Sequence, residues 1–349
     1  MSAERATTIL GRINVAFLTT AHEISVDEGA GSVIFDNERG GLLLGYRMSL
    51  VESLAREIIA GETEFGRRCN LVGIVTNDND ARHAEAWSNG GPWPANLRVP
   101  IWNGTGMLAE PSLDELLVRV PATWALLRRE DGQSAEEHTK RVTAAKAAYE
   151  AALADAFNRM RADLVLSYSY TKIVEHDLLE RFGARLLNIH PAILQPGDPQ
   201  RTPGITPTAD LWTRYHEGFL TTHRKKAVDI PDGEPSTYLI PEGHPALGDE
   251  AGREVSIVRV PRSARAGVTL HIMEPEVDEG KIVKDAAYEL ASDELTMQGI
   301  RHRNYREMQQ LVPDGILTYI AHPGVRQLLL RERQLRQLRQ AEAPYAMTG

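Results

Sequence analysis

The stretch of the chain best suited to chemistry is Leu186-Leu187-Asn188-Ile189-His190-Pro191, in which apolar residues lead into two polar ones. Alternate side chains of an extended strand share a face, so Asn188 and His190 should point the same way. Pro191 lacks an amide hydrogen and favours extended geometry at His190, which predicts that the strand ends there. Ligands of open α/β sheets bind beyond the carboxyl ends of the strands. An amide donor and an imidazole are thus predicted at the edge of a site, and the alternative is a structural histidine.

This pair of side chains suits the attack of an amine on an acyl carbon. The tetrahedral intermediate carries a negative oxygen, which Asn188 and a protonated His190 can stabilise. Asp278 lies in a Gly-containing loop between two predicted strands, where an aspartate commonly serves turn geometry. It could also hold His190 cationic and move the proton. No covalent nucleophile is needed, and since the sequence has no clustered Cys/His ligand set, no metal site is predicted.

Strands and helices alternate along the chain in the manner of an α/β protein. Apolar runs predict strands over 13–20, 70–76, 163–168, 186–190, 255–260, 267–273 and from 281. Helical spacing predicts helices over 49–60, 113–127, 134–161, 171–182, 208–216, 295–320 (broken at Pro313) and 325–341. The fold class that follows is an open, mostly parallel twisted sheet flanked by helices, Rossmann-like, with right-handed crossovers.

Composition and charge argue against some classes of binding partner for this protein. The hydrophobic fraction of 42% and charged fraction of 25% are ordinary for a soluble globular protein, and the formal net charge of -9 argues against a nucleic-acid partner. The single cysteine, Cys69, fits a reducing cytosol. The charged start lacks the apolar run of a secretory signal, and no segment approaches the ~20 apolar residues of a membrane span. We therefore expect a cytoplasmic protein without a membrane partner.

Taken together, the motifs resemble the 10-formyltetrahydrofolate-dependent formyltransferase family, most closely the glycinamide ribonucleotide formyltransferase catalytic domain. In that family an Asn-x-His-Pro strand end is followed by a Leu-Asp-x-Gly loop. Here the first motif is Asn188-Ile189-His190-Pro191 and the second is Val277-Asp278-Glu279-Gly280. The resemblance runs without a gap over 163–194, continues over 267–283, and covers about half of the chain with weaker blocks included.

The resemblance implies a formyltransferase with 10-formyltetrahydrofolate as co-substrate and a small-molecule primary amine as acceptor. Asn188, His190 and Asp278 would be its catalytic trio. It also implies a folate pterin pocket built from two segments: Lys172, Ile173 and Val174, and Glu274, Pro275, Glu276 and Val277. Lys172 stands where the family more usually has Arg, and the side chains of Ile173 and Val174 could equally be core.

The chain departs from the family pattern at the acceptor side. Nucleotide-using relatives have a compact Gly-x-Gly-Ser-Asn loop after the first strand, whereas this chain has Thr19-Thr20-Ala21-His22-Glu23. Gly29-Ala30-Gly31-Ser32 comes later, either as an anion loop or as a surface insertion. This weakens the case for a ribonucleotide acceptor.

We expect a catalytic domain over 1–324 with insertions at about 21–45 and 216–266. An amphipathic helix and tail over 325–349 would face solvent or pack in a homodimer.

Three other functions compete with formyl transfer. A 10-formyltetrahydrofolate hydrolase would use the same site with water as the nucleophile, and would release formate without an amine. A non-catalytic folate- or nucleotide-binding module is suggested by the altered phosphate loop, and would bind folate without turnover. A nicotinamide-dependent Rossmann enzyme is disfavoured because no Gly-x-Gly-x-x-Gly opens a helix after the first strand.

Overall fold

The polypeptide divides into two compact units. The first comprises Met1–Leu187 with Pro313–Gly349, and the second comprises Asn188–Val312. A computed structural model of the chain describes residues 11–19, 33–36, 41–44, 50–77, 96–103, 105–130, 132–168, 170, 174–204, 206–222 and 230–342.

The described chain contains both strands and helices. The strands are β1 (Ile13–Thr19), β2 (Val33–Asp36), β3 (Gly41–Leu44), β4 (Cys69–Thr76), β5 (Ile101–Trp102), β6 (Met107–Ala109), β7 (Leu117–Arg119), β8 (Leu164–Tyr168), β9 (Leu186–His190), β10 (Phe219–Thr221), β11 (Pro235–Leu239), β12 (Glu254–Arg259), β13 (Arg265–Ile272) and β14 (Ile282–Glu289). The helices are α1 (Leu50–Ala60), α2 (Glu64–Arg68), α3 (Ala135–Arg159), α4 (His176–Phe182), α5 (Pro207–His216), α6 (Met297–Ala321) and α7 (Pro323–Glu342).

The first unit is built around a parallel sheet with the strand order β8-β1-β4-β7. Phe17 of β1 lies opposite Ile74 of β4 and Leu166 of β8, and all three side chains are buried. Strands buried on both faces read as continuous apolar runs, which is why these strands were predictable. Helix α3 begins with a capping box, since Ser134 Oγ accepts the Glu137 amide and Glu137 accepts the Ser134 amide.

A buried carboxylate fastens α7 to the first unit. Asp163, directly before β8, is fully buried and forms ion pairs with Arg333 and Arg336 of α7. The same carboxylate accepts the backbone amide of Asn14 at 2.9 Å. The sequence interpretation of α7 as a solvated or dimer-packing helix did not foresee these contacts.

The second unit contains the carboxyl-terminal part of β9 in the strand order β14-β13-β9. β13 and β14 form an antiparallel hairpin, in which Val268 lies opposite Ala286. The predicted insertion over 216–266 contains a separate antiparallel sheet, β10-β12-β11, with Phe219 and Ile257 in its core. The described part of this segment is therefore folded, and its apolar cluster also includes Ala209 of α5.

The predicted fold class, a mostly parallel sheet flanked by helices, is confirmed, but two local predictions are wrong. The helix predicted over 113–127 is absent, because this segment supplies β7 to the sheet edge and then a 3₁₀ turn at Thr123–Leu126. The predicted break at Pro313 is also absent, since α6 continues through that residue. Leu311, Val312 and Ile316 are buried around it, and their burial offsets the ~3 kcal/mol penalty of an internal proline.

Some sequence predictions fall on residues that the structure does not describe. Of the insertion over 21–45, only the β2–β3 hairpin is described, so the Gly29–Ser32 run lies outside. None of the described helices is both long and apolar enough to cross a membrane.

Candidate active site

The paired side chains at the end of β9 lie where strand alternation predicts. Asn188 and His190 share one face, and β9 ends at His190, directly before Pro191. Asn188 is half-buried and His190 is buried, with 5% of its surface exposed. The local sequence therefore suffices to place these two side chains together at a strand end.

Both ring nitrogens of His190 face hydrogen-bond acceptors. Nε2 donates to the backbone carbonyl of Thr202 at 3.1 Å, since a carbonyl oxygen can only accept. Nδ1 lies 3.5 Å from Oδ1 of Asp278. An imidazole flanked by a carbonyl and a carboxylate is held in one orientation, and its protonated form satisfies both partners.

Asp278 reaches the histidine because its loop adopts an uncommon backbone conformation. Its φ of 60° lies in the left-handed region, which Asp tolerates better than most residues. Oδ2 accepts the backbone amide of Gly204 at 2.7 Å, while Oδ1 points at the histidine side. Arg201 steadies the loop by donating to the Asp278 carbonyl at 3.3 Å and to Glu279 at 2.7 Å.

Gly280 explains why the loop has the form Asp-x-Gly. A Cβ at this position would lie 1.7 Å from the carbonyl oxygen of Ile272, which is backbone and has little freedom to move. We expect Gly280→Ala to lower the free energy of unfolding by about 1–3 kcal/mol, as overpacking does, and to displace Asp278. Urea denaturation measures the first effect. Gly248→Ala is the control, because nothing lies within 4 Å of its added Cβ and its φ is not positive; equal losses in both variants would contradict this account.

A second histidine, His271 of β13, belongs to the same cluster and was not predicted as a site residue. Its Nε2 lies 3.1 Å from Nδ2 of Asn188 and 3.6 Å from Oδ1 of Asp278. Burial lowers the pKa of His271 to about 4, although the Asp278 carboxylate acts in the opposite direction. The available signal was the alternation of Thr269 and His271 in an otherwise apolar strand.

The lowered pKa of His271 predicts a pH-dependent stability. Below pH 6.5 the unfolded chain protonates this histidine, whereas the folded chain keeps it neutral down to about pH 4. The unfolded state then binds more protons, so the free energy of unfolding falls as pH drops through this window, by up to roughly 1.4 kcal/mol per pH unit.

Urea unfolding at several pH values between 7 and 4 measures this slope. His271→Gln should flatten it, because Gln does not titrate, while Asp278 and His190, which face the ring, remain in both proteins. An unchanged slope in the variant would contradict the assignment.

The segments predicted to hold the pterin remain predictions. Lys172 and Ile173 lie outside the described residues, and Val174 is buried in the first unit. The segment Glu274–Glu276 is exposed, and Val277 is half-buried directly before Asp278. Within the part of the chain that the structure describes, no three His, Cys, Asp or Glu side chains come together in a way that could hold a metal ion.

The fold is that of an α/β protein, in which Asn188, His190, His271 and Asp278 form a cluster at the end of β9. Residues 120–198 match the sequence model of the family described as formyl transferase, and this segment includes Asn188 and His190. The match confirms, over this segment, the resemblance to formyl transferases and the enzyme class predicted from the sequence. No curated protein matches the chain.

Solved structures similar to this chain include a formyltransferase that shares its fold. PvdF of pyoverdin biosynthesis, described as a structurally unique N10-formyltetrahydrofolate-dependent formyltransferase, is 20% identical, with 89% of this chain and 98% of that chain covered and a TM-score of 0.60. Glycinamide ribonucleotide transformylase 1 from Symbiobacterium toebii is 16% identical, with 89% and 88% covered and a TM-score of 0.44. A formyltetrahydrofolate deformylase from Pseudomonas syringae pv. tomato is 11% identical, with 89% and 61% covered and a TM-score of 0.42.

Proposed function

We propose that this protein transfers the formyl group of 10-formyltetrahydrofolate to a primary amine of a small molecule. The observation that carries the proposal is the convergence of a carboxamide, an imidazole and a carboxylate, from Asn188, His190 and Asp278, at the end of β9. The formyl transferase segment and the fold shared with PvdF support it further. The altered loop after β1 favours an acceptor other than a ribonucleotide.

The reaction begins when the amine nitrogen attacks the formyl carbon. A C–N bond forms, the carbonyl oxygen becomes negative, and an N–H of Asn188 donates to that oxygen. Both nitrogens of His190 already face acceptors, so the imidazolium acts mainly through its positive charge, and one of these contacts gives way if it donates directly. Such stabilisation of the intermediate suits a reaction that forms no covalent bond to the protein.

Proton transfer completes the reaction. The attacking amine loses a proton to the carboxylate of Asp278, directly or through a water, and the folate N10 gains one as its bond to the formyl carbon breaks. Asp278 is suited to this role because Oδ2 is held by the Gly204 amide while Oδ1 faces the two histidines. The products are an N-formyl compound and tetrahydrofolate.

A panel of amines tests this proposal. Purified protein is mixed with 10-formyltetrahydrofolate and each amine, and the absorbance change of tetrahydrofolate formation is followed. The proposal predicts turnover that depends on one class of amine and falls about 100- to 1000-fold in Asn188→Ala. Formate release without any amine would favour the hydrolase instead, and tight folate binding with no turnover would favour the binding module.

We further propose a cytoplasmic location. The support is the cysteine content, since the single Cys69 is buried and burial raises the pKa of its thiol to about 12, as expected for an inert core residue.

A further inference from the structure

His271 contacts Asn188 in a way that fixes the orientation of its amide. Nδ1 of His271 lies 3.0 Å from the carbonyl oxygen of Ile272, which can only accept, so Nδ1 carries the ring proton. In the neutral ring Nε2 is then a bare acceptor. It receives one N–H of Asn188 at 3.1 Å. The structure therefore defines the tautomer and the direction of this hydrogen bond.

We propose that His271 is a positioning residue, which holds the Asn188 amide so that its second N–H is presented to the oxygen of the formyl group. This inference deepens the proposed function and rests on it. If the amide were flipped, its oxygen would face the lone pair on Nε2, and the two would repel. A neutral His271 thus selects one of two amide orientations that the strand alone would allow.

The surroundings of His271 keep this arrangement fixed. His271 is only 2% exposed. Because Gly280 has no Cβ, the loop that contains it can lie close to the Ile272 carbonyl, which accepts the Nδ1 proton of His271. The charged and titratable groups facing the ring are Asp278 and His190. A proton on Nε2 would turn the acceptor into a donor and would place a second cation beside His190, so the neutral ring serves the site.

Two substitutions at His271 test its two hydrogen bonds individually, because each variant keeps a different one. The amide oxygen and nitrogen of Gln lie as many bonds from Cβ as Nε2 of histidine does. The amide oxygen and nitrogen of Asn lie as many bonds from Cβ as Nδ1 does. His271→Gln can still accept from Asn188, but His271→Asn keeps only the donor to the Ile272 carbonyl. We expect His271→Asn to lower kcat about 10- to 100-fold with little change in the KM for 10-formyltetrahydrofolate, and His271→Gln to stay within a few-fold of wild type.

A double-mutant cycle with Asn188→Ala distinguishes positioning from a general structural role. If His271 acts through Asn188, His271→Asn should lower kcat less than about 3-fold in the Asn188→Ala background. Losses that multiply, or a His271→Gln variant as impaired as His271→Asn, would overturn the inference. A wild-type protein without amine-dependent turnover would instead overturn the proposed function.

The tautomer itself gives a readout that needs no turnover. Nitrogen NMR of the ¹⁵N-histidine-labelled full chain at pH 7 should assign the His271 proton to Nδ1, with Nε2 unprotonated. A proton on Nε2 would contradict the inference even if the protein is an active formyltransferase.

Discussion

Replacing Asp278 with Asn should lower kcat for the proposed formyl transfer by about 100- to 10,000-fold, the range expected for losing general acid–base catalysis. The substitution is chosen because Asn tolerates the left-handed φ of 60° and can still accept the Gly204 amide. It removes the carboxylate that lies 3.5 Å from Nδ1 of His190 and that we propose receives the amine proton. Steady-state tetrahydrofolate release with the acceptor found in the amine panel measures the effect.

An aspartate outside the cluster supplies a matched control for the Asp278→Asn variant. Asp285 is an exposed aspartate on β14 of the same hairpin, and Asp285→Asn makes the same chemical change away from the cluster. Its kcat should stay within a few-fold of wild type. If Asp278→Asn keeps near-wild-type kcat, or if both variants lose activity equally, Asp278 has no part in the proton transfer.

Asp163→Asn should lower the free energy of unfolding by about 3 kcal/mol, the lower end of the range for breaking a buried ion pair. The carboxylate is fully buried, while the side chains of Arg333 and Arg336 are 26% and 16% exposed. Asn preserves the shape and can still accept the Asn14 amide, so the change isolates the charge. Both arginines would be left without this partner, and α7 would detach more readily.

Chemical denaturation measures this loss, and a surface pair supplies the comparison. Glu136 pairs with Lys140 on α3 with both side chains more than 70% exposed, so Glu136→Gln should hardly change stability. Equal stability of Asp163→Asn and the wild type would show that the buried network does not hold α7 in place.

Sequence patterns predicted the helices and strands whose structure depends on residues close together in the chain. The boundaries of β1, α1, α3 and β9 agree with the sequence pattern to within one or two residues, because continuous apolar runs and a capping box specify them. The shared face of Asn188 and His190 follows from strand alternation alone. In contrast, the segment 113–127 forms β7 because it pairs with β4, a tertiary effect that its own residues do not encode.

The rest of the site depends on contacts between residues that are far apart in the sequence. Nothing near Asp278 in the sequence indicates that its carboxylate meets His190; the chemistry of the reaction and the family resemblance suggested it. The roles of His271 and Gly280 required coordinates, since a tautomer is set by its hydrogen-bond partners and a close backbone approach by the folded loop. His271 had no signal strong enough to separate it from an ordinary strand residue, and Gly280 was marked only by its place in the Asp-x-Gly motif.

The fate of the formyl carbon tests the central claim most directly. Tetrahydrofolate carrying a ¹³C-labelled 10-formyl group is incubated with the protein and the acceptor amine, and the label is followed by carbon NMR. We predict that it moves into an N-formyl product in step with tetrahydrofolate release, and that this transfer slows about 100- to 1000-fold in Asn188→Ala. Label that appears only as formate, or transfer that persists unchanged in the variant, would contradict the proposed site.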